Sequence, residues 1–183
     1  MDFRQRPFLF KNKPLKTLYI ARHAKSSWDN LNVSDHDRKL LPVGIKRTEI
    51  IAGWLKKQKV FPDRIISSTA TRAYETARLL AKGIGFPEDK IEKNSTLYGA
   101  DTDDVMEILY ALPNEVEKVM VVGHNPDFTE LANLFLDSSK RIENLPTSGV
   151  VAVHFKAKKW HKIDGAKARV AFLMTPRMAR ELN

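Results

Sequence analysis

The chain has 183 residues, no cysteine, and 31 lysines and arginines against 22 aspartates and glutamates, a net charge of +9. Disulfides, thiolate catalysis and cysteine-ligated metals are thereby excluded, and no apolar run reaches the roughly 18–20 residues that span a bilayer. The length suits one domain with a sizeable core, and the positive charge favours anionic ligands such as phosphates, nucleic acid or acidic protein faces without choosing among them.

Residues 1–16, MDFRQRPFLFKNKPLK, read as a basic arm without the small-residue cleavage site of a secretory signal. The absence of cysteine fits a cytoplasmic protein, as it fits many exported ones. A first strand is predicted over 17–21. Residues 41–57 read as a helix, with Ile45, Ala52, Trp54 and Leu55 placed for burial. The RIIS run at 64–67 is a second strand, and 71–81 a helix that sets Ala73, Thr76, Ala77 and Leu80 on one face before Gly83-Ile84-Gly85 stops it. A helix over 103–112 carries acids in its first turn, as the helix dipole prefers. The VMVV run at 119–122 is apolar without alternation, as in a strand covered on both faces. Residues 126–136 form a helix with Asn125 as N-cap and Pro126 at the first helical position. Strands over 149–155 and 168–174 follow, joined by the polar turn KAKKWHKIDGAK. Trp160 and His161 in that turn are expected at the surface or an edge, Trp54 in the core, and His154 in a structural role. Residues 177–183 are taken as a tail after a single domain over 17–176. Strands alternating with helices imply a layered α/β domain with a mainly parallel sheet, whose ligands sit beyond the carboxyl ends of the strands.

Three of those strand ends carry unusual residues. The first ends in Arg22-His23, the second runs through SSTATR to Arg72, and VMVV ends in Gly123-His124-Asn125-Pro126. Parallel strands would gather two histidines and two arginines at one sheet edge. Guanidinium groups bind phosphate oxygens in pairs and stay charged. Neutral imidazole is a competent nucleophile near neutral pH, and fixed cations around it stabilise a phosphoryl group in flight. No glycine-rich P-loop or obvious magnesium-holding acid cluster is present, so the chemistry suggested is metal-free, cofactor-free phosphoryl transfer through a phosphohistidine.

The segments ARHAKS, SSTATRAYETA and VVGHNP resemble the motifs of the histidine phosphatase superfamily, with Ala24 where the usual first motif has glycine. DHDRKLLPVG, from Asp35 to Gly44, resembles the family's Asp-x-x-Arg segment, with Lys39 departing from the usual proline, and LPTSGVVAVHF resembles the approach to a late core strand. The resemblance covers roughly 17–176. It implies a three-layer α/β/α, phosphoglycerate-mutase-like fold. It also implies that His23 is the nucleophile, that Arg22, Arg72 and His124 hold phosphoryl oxygens, that Arg38 adds a contact at the pocket mouth, and that Asp35 orients Arg38 or the loop. The length, with no large inserted cap, places the resemblance with the small SixA-type phosphohistidine phosphatases.

Larger members of the family present an acid that protonates the leaving oxygen. The corresponding region here, STLYGADTDDV, offers Asp101, Asp103 and Asp104, which read more simply as helix N-terminal acids. An alkoxide needs a proton to leave, whereas a phosphohistidine imidazole protonated on its other nitrogen departs neutral. The expected substrate is therefore phosphohistidine on a protein. The alternatives are a broad small-molecule phosphomonoester phosphatase, or a non-catalytic phosphate-binding adaptor. Neither nucleic acid nor membrane is an expected partner, since the basic residues are scattered with little aromatic interleaving. Asp35-His36-Asp37 could be read as a metal site, but adjacent residues rarely converge on one ion, and a solvated loop explains them. Ser26, Ser27 and Trp28 either shape the pocket or pack beneath it.

Overall fold

In the computed structural model, which describes residues 16–28 and 32–182, the first strand sets the layering. Along β1 (Lys16–Arg22), side chains alternate between two apolar clusters: Leu18 and Ile20 enter one, Tyr19 and Ala21 the other. A strand buried on both faces needs a cover on both faces. The chain supplies it with α1 (Pro42–Lys57), β2 (Arg64–Ser68), α2 (Thr71–Ile84), β3 (Ile91–Asn94), α3 (Thr102–Tyr110), β4 (Lys118–Gly123), α4 (Asp127–Asn133), β5 (Val150–Phe155), β6 (Arg169–Met174) and α5 (Pro176–Glu181). Helices α1, α2 and α5 pack on the Tyr19 side, and α3 and α4 on the Leu18 side. The result is the α/β/α sandwich that the sequence implies.

The sheet runs β3-β2-β4-β1-β5-β6. The pairs β1–β4, β2–β4 and β2–β3 are parallel, while β5 and β6 are antiparallel additions at one side. The three strands whose ends looked unusual are thus consecutive neighbours, β2-β4-β1, with their carboxyl ends at the same edge.

Several expectations are corrected. The buried stripe of α1 is Gly44, Thr48, Ile51, Ala52 and Leu55, with Trp54 beside it, and Ile45 is exposed. Gly44 starts the stripe because a Cβ there would run into the Lys25 backbone. Helix α2 continues through Gly83, which lets it approach Ala52 of α1, and stops at Gly85, whose φ of 84° is the left-handed C-cap geometry. Pro126, not Asn125, is the N-cap of α4, and the Asn125 amide instead donates to Asn144 Oδ1 at 2.9 Å. β3 was not foreseen, being four residues long with lysine, glutamate and asparagine in it. The expected tail is helix α5, capped by Thr175 and anchored by buried Ala179. The expected arm lies outside the described residues except for Lys16, which opens β1. No helix among the described residues is long and apolar enough to cross a membrane.

Trp160 is the largest correction, for it is fully buried in the α3–α4 side of the core. Its indole Nε1 donates to Val116 O at 2.8 Å. The buried Lys16 ammonium lies 5.7 Å from the ring centre and donates to Asn114 O and Val116 O at 2.6 Å each. Trp160→Ala should therefore cost about 3–5 kcal/mol in urea unfolding, while His161→Ala, on the exposed next position, should stay within about 0.5 kcal/mol. A Trp160→Ala cost below about 1 kcal/mol would take the turn out of the core.

Candidate active site

Backbone hydrogen bonds fix the end of β1 before any side chain acts. The His23 N–H donates to Gly123 O at 2.9 Å and the Arg22 N–H to Gly149 O at 3.0 Å. Ser148, at φ 60°, returns its N–H to the Arg22 and His23 carbonyls at 3.2 and 3.3 Å. Its hydroxyl lies 2.9 Å from Thr48 Oγ1 of α1. The Ala24 N–H donates to Thr76 Oγ1 at 2.9 Å, and that hydroxyl donates on to Arg72 O at 2.6 Å. The loop after β1 is thus tied to the first turn of α2, the turn that carries Arg72.

His23 Nδ1 lies 2.8 Å from Ala24 O. A carbonyl only accepts, so the proton sits on Nδ1 and Nε2 carries the free lone pair. Burial pushes the imidazole down to about 4, against the Ala24 bond that favours protonation and with help from the charges of Arg72, Arg22 and Arg38. The His124 ring centre is 5.0 Å from that of His23. Burial, then His23 and Arg72, push His124 down to about 3. Its Nε2 is 2.8 Å from Ser68 Oγ. Both rings are therefore neutral at ordinary pH.

The guanidinium groups are held from behind. Arg22 donates to Leu145 O at 2.7 Å and to Asn144 Oδ1 at 3.0 Å. Arg72, buried, donates to Asp35 O at 2.5 Å and Asp35 Oδ2 at 3.0 Å. Arg38 pairs with Asp35 Oδ1 at 2.9 Å and lies 3.4 Å over the centre of the Trp28 ring, which is 71% exposed. Asp35 thus orients both Arg38 and Arg72, and the Tyr98 hydroxyl also donates to it at 3.0 Å. Burial alone would raise the Asp35 carboxyl, but Tyr98, Arg72 and Arg38 outweigh it and hold the group below the usual aspartate range. Arg22 Nε, Arg72 Nε and His124 Nδ1 are buried with no hydrogen-bond partner among the described residues. An unmet buried polar group costs about 1–3 kcal/mol, and a tetrahedral oxyanion is the kind of ligand that meets several at once.

The other candidates fall elsewhere. Asp101 caps α3 and Asp104 completes a reciprocal capping box, with N–H bonds of 2.9 and 3.0 Å between them. Asp103 lies in the same first turn. His36 spends its nitrogens on Asp37 Oδ1 and Thr69 Oγ1, both at 3.1 Å, and no group of metal-ligating side chains converges among the described residues. His154 lies beside Thr17 Oγ1 at 3.0 Å in mid-sheet. Ser26 is buried and bridges to Leu40, while Trp28 is exposed with the Arg38 guanidinium stacked on its ring. Sequence reasoning missed Ser68, Tyr98 and Asn144. Tyr98 lay within STLYGADTDDV, a segment searched only for acids.

Fold and site together define an α/β protein whose sheet edge sets a neutral imidazole among fixed guanidinium groups, an arrangement fitted to phosphoryl chemistry. Residues 18–108 match the model of the histidine phosphatase superfamily (branch 1). The phosphohistidine phosphatase SixA of Escherichia coli is 31% identical over 110 residues, covering 60% of this chain and 67% of that protein. A SixA-type crystal structure from Agrobacterium tumefaciens is 27% identical with a TM-score of 0.76, covering 88% of this chain and 99% of that one. The protein histidine phosphatase SixA complexed with tungstate is 25% identical with a TM-score of 0.74, covering 91% and 99%. The chain belongs to the histidine phosphatase superfamily, and that membership supports phosphatase activity.

The depressed histidines fix a pH response. His23, His124 and His154 are lowered to about 4, 3 and 4, so below the ordinary value near 6.5 the unfolded chain binds more protons than the folded one. Stability contributed by the neutral rings is complete above about pH 6.5 and declines as pH falls toward about 4. The thermal midpoint should drop on acidification through this window, and the His23 Cε1 proton should titrate near 4 by NMR. A His23 midpoint at 6.5 or above would contradict the half-buried, guanidinium-flanked geometry.

Proposed function

We propose that the chain is a metal-independent phosphatase that removes phosphate from phosphohistidine on a protein through a phospho-His23 intermediate. The observation that carries this reading is the Nδ1 bond of His23 to its neighbour's carbonyl, which leaves Nε2 as a lone pair among Arg22, Arg72 and His124. Nε2 attacks phosphorus as the bond to the leaving group breaks, and water then hydrolyses phospho-His23 to free phosphate. Arg22 and Arg72 hold phosphoryl oxygens, with His124 as a further donor and Arg38 at the mouth. The guanidinium groups supply the charge stabilisation that a metal supplies elsewhere. The tungstate held by a SixA relative is a tetrahedral oxyanion of the same shape.

The leaving-group side supports phosphohistidine over alkyl esters. Asp101 and Asp104 are spent on the α3 cap, and Asp35 is held ionised by Tyr98 and two arginines. A carboxylate so held has no proton to donate at neutral pH. A protonated phosphohistidine ring leaves without one, and an aryl phosphate needs one far less than an alkyl ester does. Rates should therefore rank phosphohistidine peptide and aryl phosphate well above phosphoserine peptide, with chelator making no difference. A preference for sugar or nucleotide esters would instead indicate the broad small-molecule phosphatase. Bound phosphate with zero turnover would indicate the adaptor. His23→Ala should abolish turnover by roughly three orders of magnitude or more, and an alkaline quench should trap phosphate on His23. Retained hydrolysis in that variant would sink the mechanism.

A further inference from the structure

Ser68 is the last residue of β2 and is fully buried. Its Oγ lies 2.8 Å from His124 Nε2 and accepts the Ala70 N–H at 3.3 Å. Two proton arrangements satisfy the short contact. If His124 carries its proton on Nε2, the ring donates to Ser68. The Ser68 hydroxyl proton then has no acceptor among the described residues, and His124 Nδ1 is a buried lone pair with no donor. If Ser68 donates instead, its one proton is used and its oxygen still accepts from Ala70. Nδ1 then carries the ring proton as a donor. The first arrangement leaves two buried groups unmet and the second leaves one, and each unmet buried group is unfavourable. The group left unmet in the second is an N–H, which a phosphoryl oxygen, an acceptor, can satisfy.

We propose that Ser68 is a positioning residue: its hydroxyl donates to His124 Nε2 and holds that ring as the Nδ1–H tautomer, a neutral donor to a phosphoryl oxygen. The inference rests on the reading of His124 as a phosphate-holding residue. It gives the two histidines opposite duties from the same tautomer. His23 spends its Nδ1 proton on Ala24 O and keeps a lone pair at Nε2. His124 has its Nε2 lone pair occupied by Ser68 and keeps a proton at Nδ1. Without the hydroxyl, the ring would also populate the Nε2–H form, whose Nδ1 lone pair repels the oxygen it should bind.

Nitrogen NMR of histidine-labelled protein reads the tautomer directly, in wild type, Ser68→Ala and Ser68→Thr. The wild-type His124 proton is expected on Nδ1, and in Ser68→Ala a substantial fraction should move to Nε2. In the alanine variant kcat/KM for an aryl phosphate should fall about ten- to hundredfold, by analogy with the loss seen when a hydrogen-bond partner that orients a metal-ligating histidine is removed. Inhibition by inorganic phosphate should weaken as well. Ser68→Thr keeps the hydroxyl and should restore both tautomer and rate. If its extra methyl prevents folding, the wild-type and alanine spectra decide alone. A wild-type proton on Nε2, or an alanine variant with unchanged tautomer or unchanged kcat/KM, overturns the proposal. Because the tautomer is read in resting protein, this result is separate from the fate of His23→Ala.

Discussion

The site depends on the parallel register of three neighbouring strands. β4 lies between β1 and β2, with Arg22 opposite Gly123 and Ser67 opposite Val122. By that register His23 and His124 leave the sheet at the same level, and Ser68 sits one step below them, level with Gly123 and Arg22. The His23 N–H bond to Gly123 O extends the β1–β4 ladder one step past the strand, so the backbone beneath His23 is as fixed as the sheet itself. Gly123 contributes because a Cβ there would strike the Phe128 ring, and Phe128 is a core residue of α4. The same packing that buries α4 also sets the height of His124.

A sheet edge that gathers arginines must keep them from expelling one another. Asp35 does this for Arg38 and Arg72, taking one on each carboxylate oxygen. Both guanidinium groups are largely buried while the Asp35 side chain is 43% exposed, so water screens the two pairs and their main effect is to fix the guanidinium groups in place. Tyr98 adds a third donor to the same carboxylate and packs edge-on against His124 at 5.8 Å. The loop that follows β1 is thus joined to α2 and to the turn before α3 through one side chain. Asp35 is a structural keystone as well as an electrostatic one.

The sequence made the strand ends legible because they are chemically loud: Arg22-His23, Arg72 and His124 stand where turn residues are usual. It made the layering legible because β1 and β4 are apolar on both faces. The partners of those residues were not legible. Ser68 meets His124 across 56 positions, Tyr98 meets Asp35 across 63, and Asn144 meets Arg22 across 122, and no periodicity connects such pairs. The burial of Trp160 was hidden by the lysines around it, since the surrounding turn is polar in composition while one residue of it points inward. In α1 the helical phase was misjudged at its start because Gly44, with no side chain, is the residue that faces inward.

Charge balance gives the pocket its character. Arg22, Arg38 and Arg72 bring three positive charges, and Asp35 brings one negative charge, in contact with Arg38 and Arg72. The two histidines are held neutral by burial, so the cluster keeps two positive charges that its own residues do not cancel. Arg22 in particular is oriented by a backbone carbonyl and an amide, partners that aim a guanidinium without neutralising it. A phosphoryl group carries close to two negative charges near neutral pH. Protonated histidines would raise the resting charge further and would remove the lone pair on which the proposed attack by His23 depends. Their depressed pKa values and the uncompensated arginines fit the proposed mechanism together: charge comes from groups that cannot titrate, and the attacking lone pair from a ring that stays neutral.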